Sequence, residues 1–70
     1  MTDVLIRGES IRLGQLLKLA GLADSGGEAK QLLAEGLVSV NGEVELRRGR
    51  QLQAGDLVSV GGEEITVTQA

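Results

Sequence analysis

At Leu37 the spacing of apolar residues changes from the helical repeat to strict alternation. That change constrains the fold more than any other feature of the chain, because it asks for helices before it and strands after it. On the helical side, Leu13, Leu16, Leu17 and Ala20 share one face, Ser10 is the expected N-cap, and Gly21 suits the left-handed C-cap position. A second helix opens at Ser25, which with Glu28 three residues later fits the capping box. Its expected buried face is Ala29, Leu32 and Leu33. Lys30, Gln31 and Glu35 lie off that face, and Gly36 ends the helix. Ahead of both helices, Asp3 to Arg7 read as a short strand punctuated by Gly8 to Ser10.

On the alternating side, LVSVNGEVEL and LVSVGGEEITV form two hairpin-like segments, each with LVSV before a glycine turn. We read their likeness as convergent strand chemistry. A two-residue Asn41-Gly42 turn would set Val40 opposite Glu43, whereas the apolar pattern would pair Val40 with Val44. A bulge or longer loop is therefore expected there. Gly55-Asp56 turns the chain into the next strand. The expected architecture is one α+β domain over residues 1–70, in the order β-α-α-β-β-β-β, with two helices packed on a small, mainly antiparallel sheet.

The chain has no Phe, Tyr, Trp or Cys, so leucine and valine must carry the packing of an aliphatic core and no disulfide can staple it. At 70 residues and 41% hydrophobic content, that core is small. The lack of His and Cys removes the usual general base near neutral pH and the soft metal ligands, which points away from an enzyme, a metal or another cofactor. Adjacent Glu63 and Glu64 point to opposite faces of a strand. Glu43 and Glu45 share a face beside a turn, and all four are expected on solvated strand edge. Lys18, Gly21 and Asp24 interrupt the apolar stretches well short of the roughly 20 residues that span a bilayer, and the N-terminus shows no secretory pattern. A cytoplasmic protein without a membrane partner is the expectation.

Net charge is −3, but it is unevenly spread. Residues 51–70 hold three acids and no base, while residues 30–50 hold Lys30, Arg47, Arg48 and Arg50 against Glu35, Glu43 and Glu45. This permits a basic patch on an acidic body. Gly26 and Gly27 stand in the first turn of the second helix, where a glycine costs roughly 0.8 to 1.0 kcal/mol relative to alanine in an interior position. They read either as a flexible capping turn or as bare backbone that lets an anion reach the helix N-terminus. Lys30 projects from the same side as Gly26, and the arginine run carries the side chain best suited to bidentate phosphate contact.

In order and spacing these residues resemble the αL RNA-binding domain, the module of the fourth small-subunit ribosomal protein that recurs in pseudouridine synthases and tyrosyl-tRNA synthetases. The resemblance covers about residues 11–60. It rests on Arg12-Leu13 opening the first helix, Ser25 to Leu32 with Ala29-Lys30-Gln31-Leu32, Gly36 to Gly42 with Val-Asn-Gly at its end, and the Gly55-Asp56 turn. It is greatest to the stand-alone bacterial branch. What it implies is binding of structured RNA, ribosomal RNA or tRNA, through phosphate contacts from the two-helix face and the adjoining arginine loop. Association with the ribosome or another ribonucleoprotein follows from the same likeness. Matched position by position, it points to Arg12, Ser25, Lys30, Gln31 and Asn41, with Arg47, Arg48 and Arg50 from the loop. Members commonly carry arginine where this chain has Gly26 and Gly27, and often aspartate where it has Gly14. The lack of aromatics agrees with a structured target, because readers of single-stranded RNA generally stack bases on aromatic rings. The competing expectations are a protein–protein adaptor of the same fold without RNA binding and, more remotely, a sulfur-carrier-like protein, which would need its diglycine at the C-terminus rather than at Gly61-Gly62.

Overall fold

The computed structural model describes residues 2–69, with the side chain of residue 2 left aside. Seven strands and two helices follow in the order β1 (Thr2–Ile6), β2 (Ile11–Arg12), α1 (Leu13–Leu19), α2 (Gly26–Ala34), β3 (Val38–Val40), β4 (Glu43–Val44), β5 (Gln51–Leu52), β6 (Leu57–Val60) and β7 (Glu63–Gln69). The α+β class is as the sequence implies. The five longer-range strands form one sheet in the order β1-β7-β6-β3-β4, antiparallel except for the parallel β1–β7 pair. The periodicity does not foretell β2 and β5, which form a separate two-residue ribbon pairing Ile11 with Leu52 and Arg12 with Gln51. Strands this short carry no alternation to read.

The core is wholly aliphatic. Leu13, Leu16 and Leu17 of α1 and Ala29 and Leu33 of α2 join Val4, Ile6, Val38, Val40, Val58, Val60, Ile65 and Val67 of the sheet in one cluster. Ala20 and Leu32, from the expected helix faces, are only half-buried against it. The twin LVSV segments turn out to pair with each other: Val38 faces Val60, Ser39 faces Ser59 and Val40 faces Val58. Val-Ser-Val reads the same in both directions, so antiparallel pairing sets valine on valine in the core and serine on serine on the other face. The likeness of the two segments therefore has a structural use.

Both helices end in the same motif. In α1 the Gly21 amide donates to Lys18 O and the Leu22 amide to Leu17 O, with Gly21 at φ +77. In α2 the Gly36 amide donates to Leu33 O and the Leu37 amide to Leu32 O. These are Schellman ends, and they use the positive φ that glycine adopts without steric cost. At the start of α2, Ser25 Oγ accepts from the Glu28 amide as the capping box requires. The reciprocal half is displaced by one residue, since Glu28 Oε2 accepts from the Asp24 amide.

Two local expectations are corrected. Ser10 does not cap α1; the N-cap is Arg12, in extended conformation and with no side-chain capping bond. The Asn41-Gly42 turn is the tight one, with Val40 opposite Glu43 and Ser39 opposite Val44. Asn41 (φ 51) and Gly42 (φ 89) both take the positive φ of a type I′ turn. Asn41 is held there by its side chain, whose Oδ1 accepts from the Leu57 amide at 3.0 Å while Nδ2 donates to Asp56 Oδ1 at 3.2 Å. Val44, on a two-residue edge strand, is left on the outer face, 61% exposed.

Asn41→Ala should cost about 1 to 3 kcal/mol, combining left-handed strain at a residue with a Cβ and the lost side-chain bonds. Asn41→Gly relieves the strain and should cost less. Urea unfolding followed by far-ultraviolet circular dichroism distinguishes the two, and equal losses would contradict this account of the turn.

Candidate nucleic-acid interface

The start of α1 has no side-chain cap, yet its first two amides are satisfied. The Leu13 amide donates to Arg50 O at 2.8 Å and the Gly14 amide to Arg48 O at 2.9 Å. The loop that joins β4 to β5 thus supplies, from its backbone, the acceptors that a capping residue would have supplied. This brings loop and helix so close that a Cβ on Gly14 would lie 3.3 Å from Arg48 Cβ and 3.5 Å from its carbonyl oxygen. A side chain at position 14 would make a tight contact that Arg48 would have to relieve by a few tenths of an ångström. Gly26, at the start of α2, is next to the same arginine: a Cβ there would lie 3.8 Å from an Arg48 guanidinium nitrogen.

Between the two helices and this loop lies an open cleft of about 390 Å³. Arg12, Lys18 and Arg48 contribute its charges, Gln15 a polar side chain, and Gly14, Gly26 and Gly49 bare backbone. Among the described residues, no carboxylate lines it. Among the described residues, none of these three cations is in a salt bridge.

The other two loop arginines are engaged differently. Glu45, expected on solvated edge, is in fact only 7% exposed and faces inward from the end of the β3–β4 hairpin. Its amide donates to Val38 O, continuing the hairpin register by one residue past β4 and carrying its side chain under the loop. Glu45 Oε2 accepts from the Leu46 amide at 3.0 Å, the Arg47 amide at 3.2 Å and Arg47 Nε at 3.4 Å. Glu45 Oε1 accepts from Arg50 Nη1 at 3.1 Å. The Arg47 amide, then the Arg47 side chain, then Arg50 hold the carboxyl down from its ordinary value of 4.5 to about 2, against the opposing effect of burial.

The structure therefore gathers Arg12, Gly26 and Arg48 into one cleft and distributes the remaining candidates elsewhere. Lys30 is exposed one helical turn beyond Gly26, outside the cleft lining. Gly27 is exposed beside the Ser25 hydroxyl, which itself caps α2. Gln31 donates to Glu35 and lines a separate, smaller hollow with Leu22 and Leu32. Asn41 holds the β3–β4 turn. Sequence reasoning passed over Gln15 and Lys18. Their signal was a polar stripe at Arg12, Gln15 and Lys18, each three residues after the last and so on one side of α1.

Residues 4–68 match the S4 domain. The chain belongs to the S4 domain family. Among curated relatives of this S4 domain, the probable ribosome maturation protein RlbA of Bacillus subtilis is 54% identical over 54 residues, 77% of this chain and 76% of that protein. The putative RNA-binding protein YbcJ of Escherichia coli is 44% identical over 57 residues, 81% of each. The solution structure of E. coli YbcJ, described as an αL motif involved in RNA binding, superposes with a TM-score of 0.74 and 38% identity, covering 97% of this chain and 87% of that one. The 30S ribosomal protein S4e of Thermoplasma acidophilum gives a TM-score of 0.62 at 28% identity, over 81% of this chain but 30% of its own.

A carboxyl whose folded pKa is lowered contributes stability above its ordinary value, and that contribution fades as pH falls through the folded value. Glu45→Gln should therefore melt below the native protein at pH 7, with the gap narrowing between about pH 4.5 and pH 2. Thermal melts by circular dichroism across that range are the check. A gap of constant size would mean that the carboxylate charge does not hold the loop.

Proposed function

We propose that this S4 domain binds structured RNA, holding backbone phosphates in the cleft between α1, α2 and the arginine loop. The observation that carries this reading is the cleft itself, in which Arg12, Lys18 and Arg48 converge with no carboxylate among them. Arginine offers a fork of donors that matches a phosphate, lysine a mobile point charge, and the glycines at positions 14, 26 and 49 leave room for a bulky backbone to approach. Lys30 extends the positive surface along α2. Because the chain has no aromatic side chain on which to stack a base, recognition falls to phosphates and shape, which favours a folded RNA over a flexible strand.

The names of the relatives support this reading. RlbA is named for ribosome maturation and YbcJ for RNA binding. Ribosomal RNA, met during assembly of the ribosome in the cytoplasm, is accordingly the target we favour. A tyrosine–tRNA ligase of Moorella thermoacetica, 38% identical over a stretch that is 15% of its length, keeps tRNA as the second candidate.

Each phosphate contact contributes about 0.7 to 0.9 to the slope of log affinity against log salt, so replacing Lys18 and Arg48 together by Ala should flatten that slope by about 1.4 to 1.8. Arg47→Ala, whose guanidinium is directed to Glu45, should leave the slope nearly unchanged. The native protein should also prefer a hairpin RNA to a polypyrimidine strand of equal length at one salt concentration. An unchanged slope in the folded Lys18/Arg48 variant would remove the cleft from RNA binding and leave the adaptor reading in its place.

A further inference from the structure

We propose that Glu45 is the residue that positions Arg48 for RNA: its carboxylate pins the loop backbone that carries Arg48 and draws Arg47 and Arg50 away from the cleft. This rests on the reading that Arg48 contacts RNA, and it explains why Arg48, and neither Arg47 nor Arg50, lines the cleft.

The loop is held from two sides. On one side the Glu45 carboxylate accepts from the amides of Leu46 and Arg47 and from the side chains of Arg47 and Arg50. On the other, the Arg48 and Arg50 carbonyls accept from the first amides of α1. Arg48 stands between these two attachments. Its flanking peptides are fixed, while its guanidinium has no carboxylate partner among the described residues and reaches the Gly26 end of α2. An unattached loop of this composition would offer three cations interchangeably, and phosphate would meet a flexible cluster. With Glu45 in place, Arg47 and Arg50 share its one negative charge and are held on its side of the loop, and the third guanidinium is aimed.

Burial strengthens the arrangement. The Glu45 side chain is 9% exposed, whereas that of Arg47 is 80% exposed and that of Arg50 34%. Withdrawing this carboxylate from water carries a desolvation cost that its donors offset, so the loop hydrogen bonds and the buried charge support each other. A glutamine of the same shape keeps an acceptor for the amides but gives up the charge-assisted bonds to both arginines, which are roughly twice as strong as neutral ones.

Two measurements on Glu45→Gln test this, with Glu45→Asp as a charge-retaining companion. The first needs no RNA. Amide hydrogen exchange at Leu13 and Gly14, whose acceptors are the loop carbonyls, should accelerate in Glu45→Gln by about tenfold more than at Leu33 in α2, a core amide that reports global unfolding, and should recover in part in Glu45→Asp. An acceleration no greater than that at Leu33 would overturn the proposal whatever happens with RNA. The second is a double-mutant cycle on affinity for a hairpin RNA with Glu45→Gln and Arg48→Ala. Each single change should weaken binding, and the double variant should bind no more weakly than Arg48→Ala within about twofold. Losses that multiply would show that Glu45 acts independently of Arg48 and would overturn the positioning role while leaving RNA binding standing. A native protein that fails to bind the hairpin at all would remove the proposed function itself, and this inference with it.

Discussion

The pair of hydrogen bonds from the first amides of α1 to the carbonyls of Arg48 and Arg50 fixes where everything else in the candidate site can be. A helix start without a side-chain cap needs acceptors from somewhere, since unmet amides at a buried end are costly. Here they come from a loop more than thirty residues later in the chain. The consequence is geometric. The loop must lie across the start of α1, Gly14 gives it an easy close approach there, and Arg48 arrives at the mouth of the space between the helices. The ribbon of β2 and β5 brings the two segments together by pairing Arg12 with Gln51, and buries Ile11 and Leu52 beneath it.

This arrangement also reconciles an acidic protein with the proposed phosphate-binding role. Net charge governs long-range attraction, and at −3 it offers little of that. What a phosphate meets at short range is local: three cations unopposed by a lining carboxylate, with bare backbone between them. The acidic residues of the C-terminal strands do not enter the cleft lining, and the one carboxylate closest to the arginine run in sequence is turned inward and occupied. The buried face of the sheet, built of paired valines, supplies the rigid support on which these loops are arranged.

What could be read from the sequence was mostly what depends on near neighbours along the chain. Ser25, Gly21 and Gly36 announced their helix ends because caps are made within a turn or two, and the alternation after Leu37 announced the strands. The Asn41 turn went astray for a different reason. Apolar pattern favoured Val44 in the core, but the turn conformation and the bonds from Asn41 to Asp56 and Leu57 decided the register, and Val44 went outside. Ser10 offered a cap that the Arg48 and Arg50 carbonyls supply instead, and Glu45 looked like strand edge because nothing local tells of a carboxylate buried under two arginines. The resemblance to the αL domain named both Arg12 and Arg48 as candidates, and the structure sets the two on one cleft. The resemblance could not separate Arg48 from Arg47 and Arg50, because that distinction is made by side-chain partners across the loop.

The central claim is that the cleft between α1, α2 and the arginine loop is where RNA docks. Titration of the isotopically labelled protein with a hairpin RNA, followed by backbone amide chemical shifts, tests it most directly. The account predicts that the largest shifts fall at Gly14, Gln15, Lys18, Gly26, Arg48 and Gly49, with Ser39, Ser59 and Glu64 on the outer face of the sheet little changed. Shifts concentrated on that outer face, or around Gln31 and Glu35, would contradict it.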